Sequence, residues 1–364
     1  MTNLELTSKQ RLIRAIQGKE TDHVPFAPFL AYYFDFLPQE IKNRGMDNYI
    51  KEMGADLLLR GAGGAYEFST ESTARSEKIQ DGKKYVTLST AKGELHMEYT
   101  YMRESDTWFL SKHPVSTLEE LFALKCYYDN ITVTDTPEKM NEYIKSIGED
   151  GLVVPVIGTA DLKSSFQSLL ETWVGTENLV YLASDYPEDV HEVVESMKKV
   201  SEKTVEAVMN CDVEFCLSWE DSSTTNLNPS MYTEFIAPEI SGWVKRLHEK
   251  NIGYIQHACG LVKDLLAPIA AQGVSAIESL TPPHTGNVPM DEANRLLPQN
   301  VSIIGGIDPV FLLNSRLEEL EAYTKSLLAT MKGRGFVLAN SDSCPPGVEY
   351  KKFLLLSQMV KDYN

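Results

Sequence analysis

The chain has 364 residues, enough for one large α/β domain or two ordinary ones, and 43% hydrophobic residues, ample for a core. Its 34 Lys and Arg against 52 Asp and Glu leave a net charge of −18, which argues against nucleic acid and an anionic membrane surface, and against a polyanionic substrate unless basic residues cluster locally. Five scattered Cys, an odd number, point to a reducing cytoplasm rather than a disulfide framework. The polar start, residues 1–17, lacks the apolar stretch of a secretory signal, and no apolar run reaches the ~18 residues of a membrane helix.

Residues 7–17 predict a capped amphipathic helix with Leu12, Ile13 and Ile16 on one face. A short apolar strand follows over 24–30. Its exit carries Tyr32, Tyr33, Phe34 and Phe36, which read either as a packed lip or as one wall of an apolar substrate slot. After a helix near 47–53, residues 55–60 form a second strand. The glycines after it, Gly61, Gly63 and Gly64, lack the spacing of a phosphate cradle. Residues 84–88 and 94–101 alternate polar and apolar and predict a β-hairpin, part of an excursion over about 78–101, and 117–147 reads as mostly helical.

From 151 strands and helices alternate. The run 151–158 is apolar throughout, as for a strand buried on both faces. Strands begin near 24, 55, 151, 212, 252, 274, 301 and 335, most with a helix after them. Eight such units predict a (β/α)8 TIM barrel of one domain over 1–364, with an N-terminal helical segment and the hairpin as an insertion; a doubly wound sheet is the alternative. In such barrels the chemistry sits at the C-terminal ends of the strands.

His257 and Cys259 lie two apart on the strand predicted over 252–260, so both side chains point to one side. A thiolate and an imidazole aimed at one point suit Zn²⁺, and Cys344, just past the last strand, is the expected third ligand. Three protein ligands with a vacant position describe a catalytic zinc; closure by four would describe a structural one. The plain alternative is a hydrogen-bonded core histidine beside buried free thiols. Glu220, Asp221, Asp308 and Asp342 also fall at strand ends, as general acids, partners of His257, acceptors for substrate hydroxyls, or simple structural hydrogen-bonders.

Several stretches together resemble the uroporphyrinogen decarboxylase superfamily over nearly the whole chain. These are Lys9–Leu12 with Pro25, Asn228-Pro229 through Tyr232, Phe235 and Pro238, then His257-Ala258-Cys259-Gly260, Gly305 through Pro309, and the tail after Cys344-Pro345-Pro346-Gly347. Within it the chain is similar to the zinc-dependent corrinoid methyltransferases, including methylcobalamin:coenzyme M methyltransferases and demethylase components. The resemblance implies zinc on His257, Cys259 and Cys344, with Glu278 as a further ligand. It also implies methyl transfer between a small substrate and the cobalamin of a corrinoid-binding partner protein, since no corrinoid-binding motif is visible in the chain itself. The aromatic lip favours a methoxylated aromatic donor. The alternatives are a thiol of the coenzyme M type or tetrahydrofolate as acceptor, or decarboxylation of a porphyrinogen. The decarboxylases carry an Arg-rich stretch after the first strand, whereas no Arg lies here between Arg14 and Arg44.

Overall fold

The longest apolar runs of the sequence become strands with no exposed face. A computed structural model describes residues 5–363; the reading of the polar start as free of a signal rests in part on residues 1–4, which lie outside them. In chain order, β1 is Leu57–Ala62 and β2 is Tyr66–Thr70. The excursion follows as β3 (Ala74–Gln80), β4 (Lys83–Thr90), β5 (Gly93–Met102) and β6 (Thr107–Lys112). Then come β7 (Ile131–Asp135), β8 (Gly151–Pro155), β9 (Phe215–Ser218), β10 (Gly253–His257), β11 (Ala276–Leu280), β12 (Ser302–Ile307) and β13 (Phe336–Asn340).

The fold is mixed α/β. Parallel pairing joins β1 to β8 and runs in the order β13-β12-β11-β10-β9 in a second sheet. The eight expected strands are thus not laid out as one continuous sheet. Isolated parallel bridges link the pieces, Val156 to Leu217 and Phe26 to Leu338. The Asp56 amide also donates to the Phe26 carbonyl at 2.7 Å. The first predicted strand shrinks to the Phe26 bridge because Pro25 and Pro28 flank it and have no N–H to give; its bonds are Ala27 N–H to Leu338 O and Leu338 N–H to Pro25 O, both 2.9 Å.

Alternate residues of the parallel strands separate into two apolar clusters. Leu58, Leu152, Val154, Leu217, Ile255, Ile304 and Val337 pack among themselves, while Val153, Cys216, Tyr254, Ile277, Ile303 and Leu338 pack outward. The N-terminal helix Ser8–Ile16 adds Leu12, Ala15 and Ile16 to the inner cluster. The hydroxyl of Ser302, at the start of β12, donates to the Ile16 carbonyl at 2.8 Å, fixing the helix across the N-terminal strand ends. Full burial of a Leu or Ile contributes roughly 1.5–3 kcal/mol, so this plug anchors the helix firmly.

The excursion is larger than predicted. β3 to β6 form a four-stranded antiparallel sheet, and its inner residues Val86, Leu88, Leu95 and Met97 join the main core with Leu121, Ala123 and Leu124 of the helix Leu118–Asp129. Within the predicted helical stretch 117–147, residues Ile131–Asp135 instead pair with β2, as their four consecutive β-branched residues favour. Among the described residues no helix is long and apolar enough to cross a membrane.

Candidate metal centre

β10 ends on His257, and Cys259 follows two residues later with its side chain turned the same way. β9 ends at Ser218, and the chain continues through Trp219 and Glu220 to Asp221, held at φ 45°. The imidazole of His257, the thiol of Cys259 and the carboxylate of Asp221 each present an atom within 4.8 Å of the other two. His257 Nε2 lies 3.1 Å from Asp221 Oδ1, and Cys259 Sγ 3.5 Å from the same oxygen. Donor atoms around a tetrahedral Zn²⁺ stand roughly 3.3–3.7 Å apart, so the triangle has the size and the N, S, O chemistry that zinc takes.

Behind the triangle, Glu278 stands in register with His257 on β11 and meets its Nδ1 at 2.5 Å. The other oxygen of Glu278 accepts from Arg60 Nε at 2.8 Å. Arg60, within β1, donates to the Ala27 carbonyl at 2.9 Å and lies 5.3 Å over the Phe29 ring. The far side of Asp221 is held by Lys163, whose ammonium also donates to Glu171 at 2.7 Å and to the Trp219 carbonyl at 2.6 Å. Glu171 sits on a widened, π-type turn, Leu169–Trp173.

Burial sets the electrostatics, and the pairs then overrule it. Burial favours neutral His257, yet Glu278 and Asp221 hold the ring protonated well above the ordinary histidine range. Burial pushes the Cys259 thiol up to about 11, against the pull of His257. Glu171 rises to about 7 through burial, despite Lys163. Burial raises Asp221 and Glu278 too, but their cationic neighbours bring both below the ordinary carboxylate range.

Aromatic rings form one wall. Trp219 meets the His257 ring edge-to-face at 5.1 Å and stacks on Phe29 at 5.9 Å. Gly61 makes room for it: its φ is +71°, and a Cβ there would come within 2.6 Å of the indole.

Several predicted site residues lie elsewhere. Cys344 does not complete the triangle; Asp221 takes that corner. The Cys344 thiol is buried among core side chains, 3.6 Å from the Pro345 carbonyl, and burial pushes its pKa well up. The chain turns it inward because the Cys344 amide donates to the Phe29 carbonyl at 2.8 Å. Glu278 stands behind the imidazole rather than at the triangle. Glu220 is fully buried and accepts from Ser164 N, Ser164 Oγ and Ser218 Oγ at 2.6–2.9 Å, a structural knot. Asp308 caps the helix Pro309–Asn314 through Phe311 N at 2.7 Å and binds Thr285 N at 2.9 Å. Tyr33 and Phe34 pack against Tyr49 in the core, and Phe36 is exposed; of the four, Tyr32 faces the centre, where Asp342 and Asp221 add to burial in raising its phenol. Lys163, Arg60, Phe29 and Trp219 were not anticipated. A charged residue ending an apolar run, as Arg60 does after Leu57–Leu59, was the available signal.

The sequence matches the family described as uroporphyrinogen decarboxylase (URO-D) over residues 125–363. Among solved structures it is similar to a methyltransferase from Methanosarcina mazei, at 12% identity and a TM-score of 0.62, covering 98% of this chain and 99% of that one. A B12-independent methionine synthase from Shewanella sp. W3-18-1 is 9% identical with a TM-score of 0.49, over 93% of this chain and 98% of that one. No curated protein matches.

Proposed function

The chain belongs to the uroporphyrinogen decarboxylase (URO-D) family, and from that premise we propose that it is a zinc-dependent methyltransferase. It moves a methyl group between a small methoxylated aromatic compound and the cobalamin of a separate corrinoid protein. We read the architecture as one (β/α)8 domain over the whole chain, on the strength of the bridges that link Phe26, β1, β8 and β9 to β13. The fold likeness to the M. mazei methyltransferase agrees with this reading.

One observation carries it: imidazole, thiol and carboxylate converge, with the imidazole braced from behind by a buried glutamate. That is the carboxylate–histidine arrangement of a zinc site, and three protein ligands leave a fourth place for a reactant. When bound, zinc supplies Lewis acidity towards the heteroatom that carries the methyl group, and the corrinoid supplies the cobalt that receives it. The protein's part is to hold and orient. Glu278 fixes Nδ1 as a proton donor and leaves Nε2 for the metal. His257 and, behind it, Arg60 hold Glu278 below the ordinary carboxylate range. Lys163 occupies one oxygen of Asp221 and leaves the other turned to the centre. Phe29 and Trp219 line one side with apolar surface and keep water from it.

Decarboxylation fits less well. A polycarboxylate needs free cations, and the two at this centre, Arg60 and Lys163, are each engaged by carboxylates. The test is corrinoid spectroscopy with zinc-loaded protein. Free cob(I)alamin with a panel of methoxyarenes, or methylcobalamin with thiols, should change absorbance. No change with either panel, beside turnover of a porphyrinogen, would reverse the reading.

A further inference from the structure

Every carboxylate around the centre but one has its oxygens engaged by more than one protein group. Asp221 is held by Lys163, His257 and Cys259; Glu278 by Arg60 and His257; Glu171 by Lys163 and Gln167. Asp342 is the exception. Its Oδ1 accepts from the Ser343 amide at 2.6 Å, and among the described residues no group donates to its Oδ2. The residue is half-buried, at the C-terminal end of β13.

Its position is firmly set. Asn340 Nδ2 donates to the Asp342 carbonyl at 2.9 Å and to the Phe29 carbonyl at 2.8 Å, while Asn340 Oδ1 accepts from the Phe29 amide at 3.0 Å. The next residue, Ser343, accepts from the Tyr32 amide at 3.1 Å. The Asp342 loop is thereby tied to the segment whose Phe29 ring stacks on Trp219, and Trp219 rests on His257. Tyr32, 36% exposed, sits at the open side of the same group.

The charges point the same way. Arg60 cancels Glu278 and Lys163 cancels Glu171, and Zn²⁺ would cancel Asp221 together with a Cys259 thiolate. Among the described residues Asp342 is left without a cation in ion-pair contact, and its backbone is tied to the Phe29 segment of the aromatic wall.

Resting on the methyltransferase reading above, we propose that Asp342 is the specificity-determining residue of this centre. Its free oxygen accepts a hydrogen bond from a hydroxyl or ammonium group on the small aromatic substrate and turns away substrates bearing a carboxylate or sulfonate there. The favoured substrate is therefore a neutral or cationic methoxyarene with a hydrogen-bond donor.

Four probes on one scaffold test this: 3-methoxybenzylamine, 3-methoxybenzyl alcohol, 3-methoxytoluene and 3-methoxybenzoate. Their binding to zinc-loaded wild type, Asp342→Asn and Asp342→Ala is followed by tryptophan fluorescence, with zinc content measured in each protein. Wild type should prefer amine and alcohol over toluene, with benzoate weakest. A charge-assisted hydrogen bond of about 1.5 kcal/mol corresponds to roughly tenfold, so Asp342→Asn should weaken the amine about tenfold and narrow the gap to benzoate. The relative strengths of amine and alcohol tell which donor the site was built for. Zinc content should match wild type in both variants. Probes that bind in an order unchanged by either substitution overturn the role of Asp342 alone. A wild type that holds zinc but binds none of the four overturns the methoxyarene reading and this inference with it.

Discussion

Glu278 and His257 stand opposite each other in the parallel pairing of β11 and β10, Oε2 to Nδ1 at 2.5 Å. Strand register alone therefore decides which imidazole nitrogen faces inward to the carboxylate and which faces Asp221 and Cys259. Loss of such a supporting carboxylate typically weakens metal binding about 10–100-fold. Glu278→Gln should show a drop of that size in a zinc competition against a chromophoric chelator. Unchanged affinity would mean that the glutamate serves only Arg60.

The identity of the third ligand separates two sets of variants. Asp221→Ala and Cys259→Ala should purify with far less than one zinc per chain, whereas Cys344→Ala should keep its zinc. The last should instead lose about 1 kcal/mol of stability, since it trims a buried side chain in the core. Metal analysis beside denaturant unfolding reads both quantities. Zinc lost from Cys344→Ala, with Asp221→Ala unaffected, would restore the sulfur-rich set expected from the sequence.

Zinc uptake should release protons. Glu278 and Asp221 outweigh burial and keep His257 protonated above the ordinary range, and Cys259 stays a thiol up to about 11. The metal must displace a proton from each, so affinity rises with pH, with a slope of up to about two logarithmic units per pH unit. Acidification favours the proton-bound state and strips the metal. Calorimetry in buffers of different ionisation enthalpy counts the protons. An affinity that stays flat from about pH 6 to 8 would contradict the ligand protonation described here.

Gly61→Ala should cost about 1–3 kcal/mol, because the added Cβ enters the space of the Trp219 ring at a left-handed backbone position. A lowered denaturation midpoint with altered tryptophan emission is the expected result. An unshifted midpoint would show that the indole moves aside freely.

Much of the strand order was legible because parallel strands buried on both faces are apolar runs that stand out, as in Gly151–Pro155 and Ala276–Leu280. Less legible was a short strand between two helices. Ile131-Thr132-Val133-Thr134 carries a strand signal, four β-branched residues in a row, that its helical flanks mask, and β2 supplies its partner. At the centre, His257 ends β10 and Cys259, two residues past it, presents its thiol to the same point. Alternation along a strand could not say which residue from another strand end would join them. Asp221 was predicted as an acid and Cys344 as a ligand; which of them reaches the triangle depends on loop turns, Asp221 at φ 45° and Cys344 drawn inward by the Phe29 carbonyl. Lys163 lies in a loop with no periodic pattern, and its importance appears only in three dimensions.

The helix Ser8–Ile16, seated across the N-terminal strand ends, shuts that end of the molecule. If methyl transfer runs as proposed, a small aromatic compound and a bulky cobalamin carrier both approach the opposite end, where His257 and Cys259 lie. Traffic there then has an order: the small molecule enters before the carrier covers the threshold, and the carrier leaves before the demethylated product can. Product inhibition should accordingly depend on the carrier's concentration.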